Sequence, residues 1–235
     1  MEHVKALFFD VFGTLVDWRS SIAREARAIL SPLDVAIDWE KFADAWRGEY
    51  QPAMDAVRSG RLPFSKLDHL HRQNLDLVLG RFGLGRIDDA ARANLNLAWH
   101  RLDAWPDTTP GLMRLRTKFR IAPCSNGNIS LMVDLARRND WIWDAILGAE
   151  IARDYKPKPV VYLSAAAAFD CAPHEAMMIA AHSSDLAAAA ATGLRTAFVA
   201  RPDENGPGRG EARASVPVDL SAPSIVALAA RLGCT

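Results

Sequence analysis

Asp10, Ser125, Asn126, Lys156, His182 and Asp185 are the residues on which chemistry could rest, each at or soon after the end of a short apolar run. In LFFDVFGTLVDW (7–18) the run ends at Asp10, and Thr14 follows four places later. Ser125 and Asn126 stand in SNGN, Lys156 in DYKPKP, and His182 and Asp185 in AHSSD. An acid, a hydroxyl, an amide, an ammonium, an imidazole and a second acid gathered at one sheet edge form a catalytic constellation. Taken singly, each has an ordinary structural reading: a turn at Asp10–Gly13, a cap and turn at 125–127, a solvated loop lysine, a capping Asp185, a hydrogen-bonded His182. Their order and their shared position at strand ends favour the catalytic reading.

The elements that must position them follow from hydrophobic periodicity. Val4 to Phe9 reads as a strand. The next eighty or so residues repeat at helical spacing. Ser21 is expected to cap one helix, Asp38 a second that buries Trp39, Phe42, Ala43, Trp46 and Tyr50, and a third carries Leu67, Leu70, Leu77 and Val78. A fourth starts near Asp88 and buries Ala91, Leu95, Ala98 and Leu102. From Trp105 the pattern becomes strand–helix alternation, with apolar runs at 119–124, 145–149, 176–181 and 195–200. Helices are expected over 110–117, 129–138, 159–169 and 184–192. Such alternation implies a parallel sheet covered on both faces, which binds ligands beyond the carboxyl ends of its strands. Residues 201–216, rich in glycine, proline and charge, read as a surface loop.

The bulk numbers exclude several classes. Lysine plus arginine equals aspartate plus glutamate at 28 each, so no global field draws nucleic acid or an anionic membrane. Three scattered cysteines argue against a disulfide framework or a zinc cluster and fit a reducing compartment. The N-terminus lacks a secretory signal's architecture, and no apolar run approaches the roughly 20 residues of a bilayer span, so a cytoplasmic protein is expected.

The series DVFGT, SNGN, Lys156 and AHSSD resembles the haloacid dehalogenase superfamily over nearly the whole chain, and within it the type II (L-2-)haloacid dehalogenases. The resemblance implies an α/β fold: a Rossmann-like parallel core of residues 1–16 and 104–235, with a helical cap of 17–103 inserted after the first strand. It implies a cofactor-free hydrolase of short 2-haloacids. Asp10 displaces halide, an ester to the enzyme forms, and water attacks the Asp10 carboxyl carbon to release a 2-hydroxy acid. Lys156 supplies the opposing charge and Thr14 orients the carboxylate. Ser125 and Asn126 receive the substrate carboxylate. Arg47, in the WR…EY segment of the cap, cradles the halide, and Tyr162 matches a family tyrosine in its spacing from the lysine. Phe12, with Trp18 and the cap residues Trp39, Trp46 and Tyr50, is expected to line a dry pocket. Its compactness favours haloacetates and extends to fluoroacetate.

Two features depart from the family's commoner patterns. Most superfamily phosphatases carry a second acid two residues after the nucleophile, where this chain has Phe12, and a more acidic fourth motif, where it has Asp185 alone. A Mg²⁺-dependent phosphatase therefore falls behind the dehalogenase, as does a non-catalytic anion-binding protein. Where many dehalogenases read S-x-N-x-x-D, this chain reads Ala180-x-His182-x-x-Asp185. His182 is expected either to accept a proton in ester hydrolysis beside Asp185 or to replace the asparagine as a hydrogen-bonding group. Partners are limited to the small haloacid and the halide, with no nucleic acid, no membrane, and a homodimer left open by the family and the apolar cap surface.

Overall fold

The computed structural model describes residues 3–234. Six strands form one parallel sheet: β1 (Ala6–Phe9), β4 (Arg120–Ser125), β5 (Leu147–Gly148), β6 (Ala176–Ala180), β7 (Arg195–Val199) and β8 (Leu220–Ala222), in the order β5-β4-β1-β6-β7-β8. Strand β1 is buried on both faces, as a central parallel strand must be. Its side chains alternate: Leu7 and Phe9 join one core, Ala6 and Phe8 the other. Helices α6 (Thr108–Leu115), α7 (Ile129–Arg138) and α11 (Ile225–Arg231) cover the first face, α9 (Pro159–Ala168) and α10 (Ser183–Ala191) the second, and the single-turn α8 (Ala149–Ala152) follows β5. The alanine runs of α9 and α10 place Ala165, Ala166 and Ala189 against the sheet, where small side chains permit close packing.

The chain lays down β1, β4 and β5 in one direction and then crosses to β6 on the opposite side of β1. That reversal opens a crevice at the end of β1, where doubly wound sheets bind ligands. Phe9 pairs with Pro123 and with Ile179, so Asp10 emerges level with Cys124 and Ala180, one residue before Ser125 and Ala181.

A two-stranded ribbon, β2 (Val16–Asp17) with β3 (Asp103–Ala104), is antiparallel, and the helical segment leaves and returns through it. The segment carries α1 (Trp18–Leu30), α2 (Trp39–Gly48), α3 (Tyr50–Arg58), α4 (Leu67–Arg81) and α5 (Asp89–Asn96). Asp38 caps α2 as expected, accepting from Lys41 N, and Asp88, near which a helix was expected to start, caps α5 by accepting from Ala91 N. Helix α1 starts four residues earlier than expected, because Asp17 caps it through Ser20 N. Ser21 instead accepts from Asp103 N and ties the helix to the ribbon. The stripe from Trp39 to Tyr50 is broken at Glu49, so Tyr50 opens a new helix, and Leu77 faces solvent.

One other expectation needs correction. The segment after β7 is not a plain surface loop, since it buries Arg201 and Glu204. The edge strand β8 and helix α11 follow it, too short and weakly patterned to stand out. All three cysteines are buried and unpaired. Among the described residues, no helix is long and apolar enough to cross a membrane.

Candidate active site

Asp10 sits at the β1 exit, its backbone N–H still donating to Ile179 O at 3.0 Å. Its two oxygens are shared among three donors. Lys156 Nζ donates to Oδ1 at 2.8 Å, while Thr14 Oγ1 donates to Oδ2 at 2.7 Å and His182 Nδ1 lies 3.0 Å from the same atom. Thr14 is itself fixed, accepting from Ala181 N at 2.9 Å. Burial pushes the Asp10 pKa up, but Lys156 and His182 outweigh it and hold the carboxyl well below the usual range. The Asp10 carboxyl is thus ionised although almost enclosed.

Lys156 Nζ also donates to Asp185 Oδ2 at 2.6 Å, and Tyr162 donates its hydroxyl to Asp185 Oδ1 at 2.5 Å. The ammonium therefore fills the space between the two carboxylates. Burial lowers the Lys156 pKa, yet Asp10 and Asp185 raise it well above normal, so it stays charged. Burial and the neighbouring Asp185 push the Tyr162 hydroxyl upward, which keeps it a donor.

His182 lies between two acids. Opposite Asp10, its Nε2 is 2.9 Å from Glu204 Oε2. Burial lowers its pKa, but the two carboxylates raise it to about 10, and the ring rests as an imidazolium. With Nδ1 against Asp10 and Nε2 against Glu204, neither ring nitrogen of the imidazolium is free to take a proton from water. Glu204 accepts from Trp18 Nε1 at 3.2 Å and lies over Gly13, where any Cβ would fall 2.0 Å from its Oε1. Gly13 also has a φ of +83°, so the glycine of DVFGT serves both the turn and the seat of Glu204. The rest of the loop is braced from outside: Trp105 Nε1 donates to Gly13 O, and Arg201 Nε donates to Thr14 O while its guanidinium pairs bidentately with Asp107.

These groups open onto a cavity of about 420 Å³. From the helical segment it is lined by Arg47, Tyr50, Gln51 and Arg58, and from the loops and helices around the sheet by Phe12, Asn126, Tyr162 and Ser184 among others. The Arg47 guanidinium lies 4.0 Å from the Tyr50 ring centroid and 5.5 Å from that of Trp18. Its buried Nη1 has no hydrogen-bond partner among the described residues. Asn126 bridges the two sides, accepting from Lys156 N at 2.9 Å and donating to Tyr50 Oη at 3.2 Å. Ser125 does not line the cavity: it is fully buried, and its Oγ accepts from Gly127 N. Trp39 and Trp46 do not line it either. Trp46 packs against Phe42 and Trp99, and Trp39 sits half-buried on the outer surface.

The comparisons decide the family. A model of haloacid dehalogenase-like hydrolases matches residues 4–193. The chain belongs to that family. This haloacid dehalogenase-like hydrolase is 28% identical over 204 residues to (S)-2-haloacid dehalogenase 1 of Pseudomonas sp. strain CBS-3, covering 86% of each chain. It is 23% identical over 207 residues to haloacetate dehalogenase H-2 of Moraxella sp. strain B, covering 86% of this chain and 88% of that one. Among solved structures it superposes on a defluorinating L-2-haloacid dehalogenase with a TM-score of 0.96 and 44% identity, covering 98% of this chain and 96% of that one. A second L-2-haloacid dehalogenase gives 0.94 and 44%, covering 98% and 99%.

Gln51, Arg58 and Ser184 line this cavity and Glu204 meets His182, and none of the four was anticipated from sequence. Ser184 adjoins a motif already singled out. Gln51 and Arg58 required seeing that α3 begins at Tyr50.

Proposed function

We propose that the protein hydrolyses the carbon–halogen bond of short 2-haloalkanoic acids, haloacetates foremost, through Asp10. The observation that carries this reading is one cavity holding an ionised, nearly enclosed carboxylate opposite a guanidinium with an unpartnered buried N–H. The first group attacks C2, and the second receives the departing anion. An oxygen of Asp10 bonds to C2, the C2–halogen bond breaks, and halide leaves with the electron pair toward Arg47. Water then adds to Asp10 Cγ, the ester opens, and the 2-hydroxy acid departs with one oxygen from Asp10.

Asn126 and Arg58 line the same cavity and supply donors for the substrate carboxylate. Phe12 and Tyr50 keep water from the reacting carbon, which strengthens a carboxylate nucleophile. Two solved dehalogenases at 44% identity support the substrate class. One of them is described as defluorinating, so fluoroacetate belongs in the proposed range. The helical segment 17–103 acts as the cap over residues 1–16 and 104–235.

The Mg²⁺-phosphatase reading has less support. Phe12 can neither protonate a leaving group nor ligate through its side chain, and Lys156 Nζ already stands between Asp10 and Asp185. The test is free halide released from chloroacetate in EDTA, by wild type and by Asp10→Asn. Release by wild type alone supports the reading. No release by wild type, with turnover of a phosphomonoester in Mg²⁺, would overturn it.

A further inference from the structure

The sheet exit carries a buried acid that the sequence motifs do not include. Glu204 is 4% exposed, in the turn after β7, and meets His182 Nε2 through both of its oxygens at 3.1 and 2.9 Å. On its other side His182 Nδ1 touches the nucleophile. Carboxylate, imidazole and carboxylate thus form a line: Asp10, His182, Glu204.

We propose that Glu204 is the positioning residue of an Asp10–His182–Glu204 triad in which His182 activates the hydrolytic water once Asp10 has been alkylated. The inference rests on the dehalogenase reading above and concerns only its second half.

The switch lies in the charge of Asp10. In the resting enzyme both ring nitrogens carry protons and face anions, so His182 is a fixed cation that helps keep Asp10 ionised. Esterification removes the negative charge at Nδ1 and leaves the one at Nε2. The Nδ1 proton then has no carboxylate to face and departs to solvent, while Glu204 keeps the Nε2 proton and the ring orientation. Nδ1 is now a base beside Asp10 Cγ. As water adds to Cγ, one of its protons passes to Nδ1. The tetrahedral adduct collapses with cleavage of the bond between Cγ and the substrate-bound oxygen, and that oxygen takes the remaining proton of the added hydroxyl. Asp10 returns as a carboxylate beside an imidazolium. One proton has been released per halide, as the overall hydrolysis requires.

Asp185 is placed less well for this task, since Tyr162 holds its Oδ1 and Lys156 its Oδ2. The charged groups in contact with the ring are Asp10, at the β1 exit, and Glu204, after β7; beyond them stand Lys156, bonded to Asp10, Asp185 on α10, bonded to Lys156, and Glu211, bonded to the adjacent Ser183. Among these, only Asp10 changes charge during the first step. The local field at Nδ1 therefore follows the state of the nucleophile.

The experiment is rapid-quench kinetics with chloroacetate on the full chain, reading halide and the mass of the Asp10 adduct in parallel, for wild type, Glu204→Gln, His182→Asn and the double variant. Glutamine keeps an acceptor for Trp18 and His182 but not the charge. The expected result is a halide burst followed by an ester that persists on the order of 10² times longer than in wild type. The double variant should decay no more slowly than His182→Asn alone, because the two residues act as a unit. Decay at the wild-type rate in Glu204→Gln, additive losses in the double variant, or equal slowing of burst and decay would overturn the triad. If Glu204→Gln fails to fold, persistence of the ester in Glu204→Asp, intermediate between wild type and His182→Asn, serves as the same test, and wild-type decay there overturns it. Failure of wild type to release halide at all would instead remove the dehalogenase reading.

Discussion

Thr14→Val isolates what the buried hydroxyl contributes, since valine matches threonine in shape. Thr14 is fully buried, donates to Asp10 Oδ2 and accepts from Ala181 N. Removing Oγ1 deletes a hydrogen bond to a charged group, worth about 1.5–3 kcal/mol, and leaves the Ala181 N–H unpaired, at a cost of about 1–3 kcal/mol. The sum is roughly 4 kcal/mol. In a chain of this size that corresponds to a fall in melting temperature of roughly 10 °C. Thr14→Ser is the control: it retains both hydrogen bonds and loses one methyl group, a loss of about 1 kcal/mol. The carboxylate, held only by Lys156 and His182, also becomes freer to rotate from its attacking geometry. A displacement near 1 Å lowers rates by about 10²-fold. Urea melts and single-turnover halide release on both variants read the two effects. A valine variant as stable and as fast as the serine variant would refute the hydrogen-bond argument.

Lys156→Met leaves Asp10 and Asp185 buried without the cation they share, and breaking such a buried pair costs about 3–5 kcal/mol. Halide release should fall by at least about 10²-fold near neutral pH and recover partly as pH rises, because burial then raises the Asp10 pKa. A flat pH profile would contradict this. Arg47→Lys loses the planar contact over Tyr50 and the unpartnered Nη1. Halide release should slow by about tenfold or more, and chloride should inhibit more weakly than in wild type. Equal chloride inhibition would count against the halide role. His100 bridges Asp68 of α4 and Asp134 of α7 at 3.1 and 2.7 Å, and these acids raise its pKa against the lowering effect of burial. A raised folded-state pKa stabilises the fold fully below the unfolded value of about 6.5, and the effect is lost as pH rises through the folded value. His182 contributes in the same sense up to about pH 10. His100→Gln should therefore lose stability at pH 6 and little at high pH, read by urea melts across that range. A uniform loss would contradict the assignment.

Much of the site was readable because polar residues interrupt apolar runs at strand exits. Asp10, Asn126, Lys156, His182 and Asp185 stand out for that reason, and the parallel sheet brings them together. Glu204 did not stand out. It lies in RPDENGPGRGEARASV, whose composition signals exposure, and only the tertiary fold shows that Arg201 pins this segment under Thr14 and Asp107. The break between α2 and α3 was hidden too, since Trp46 and Tyr50 lie four apart and fit one continuous stripe. Ser125 reads like a ligand from its motif, yet its hydroxyl is spent on Gly127 N. Local pattern places elements, whereas the use of a polar side chain depends on which backbone groups lie beside it after folding.

In the proposed reaction Asp10 carries the substrate as an ester and water attacks its carboxyl carbon. A single turnover of chloroacetate with enzyme in excess, in ¹⁸O-water, tests this directly. The predicted result is unlabelled glycolate, with ¹⁸O in the peptide containing Asp10. Label entering glycolate in that first turnover, with none in the peptide, would mean that water attacks the substrate itself and would contradict the account.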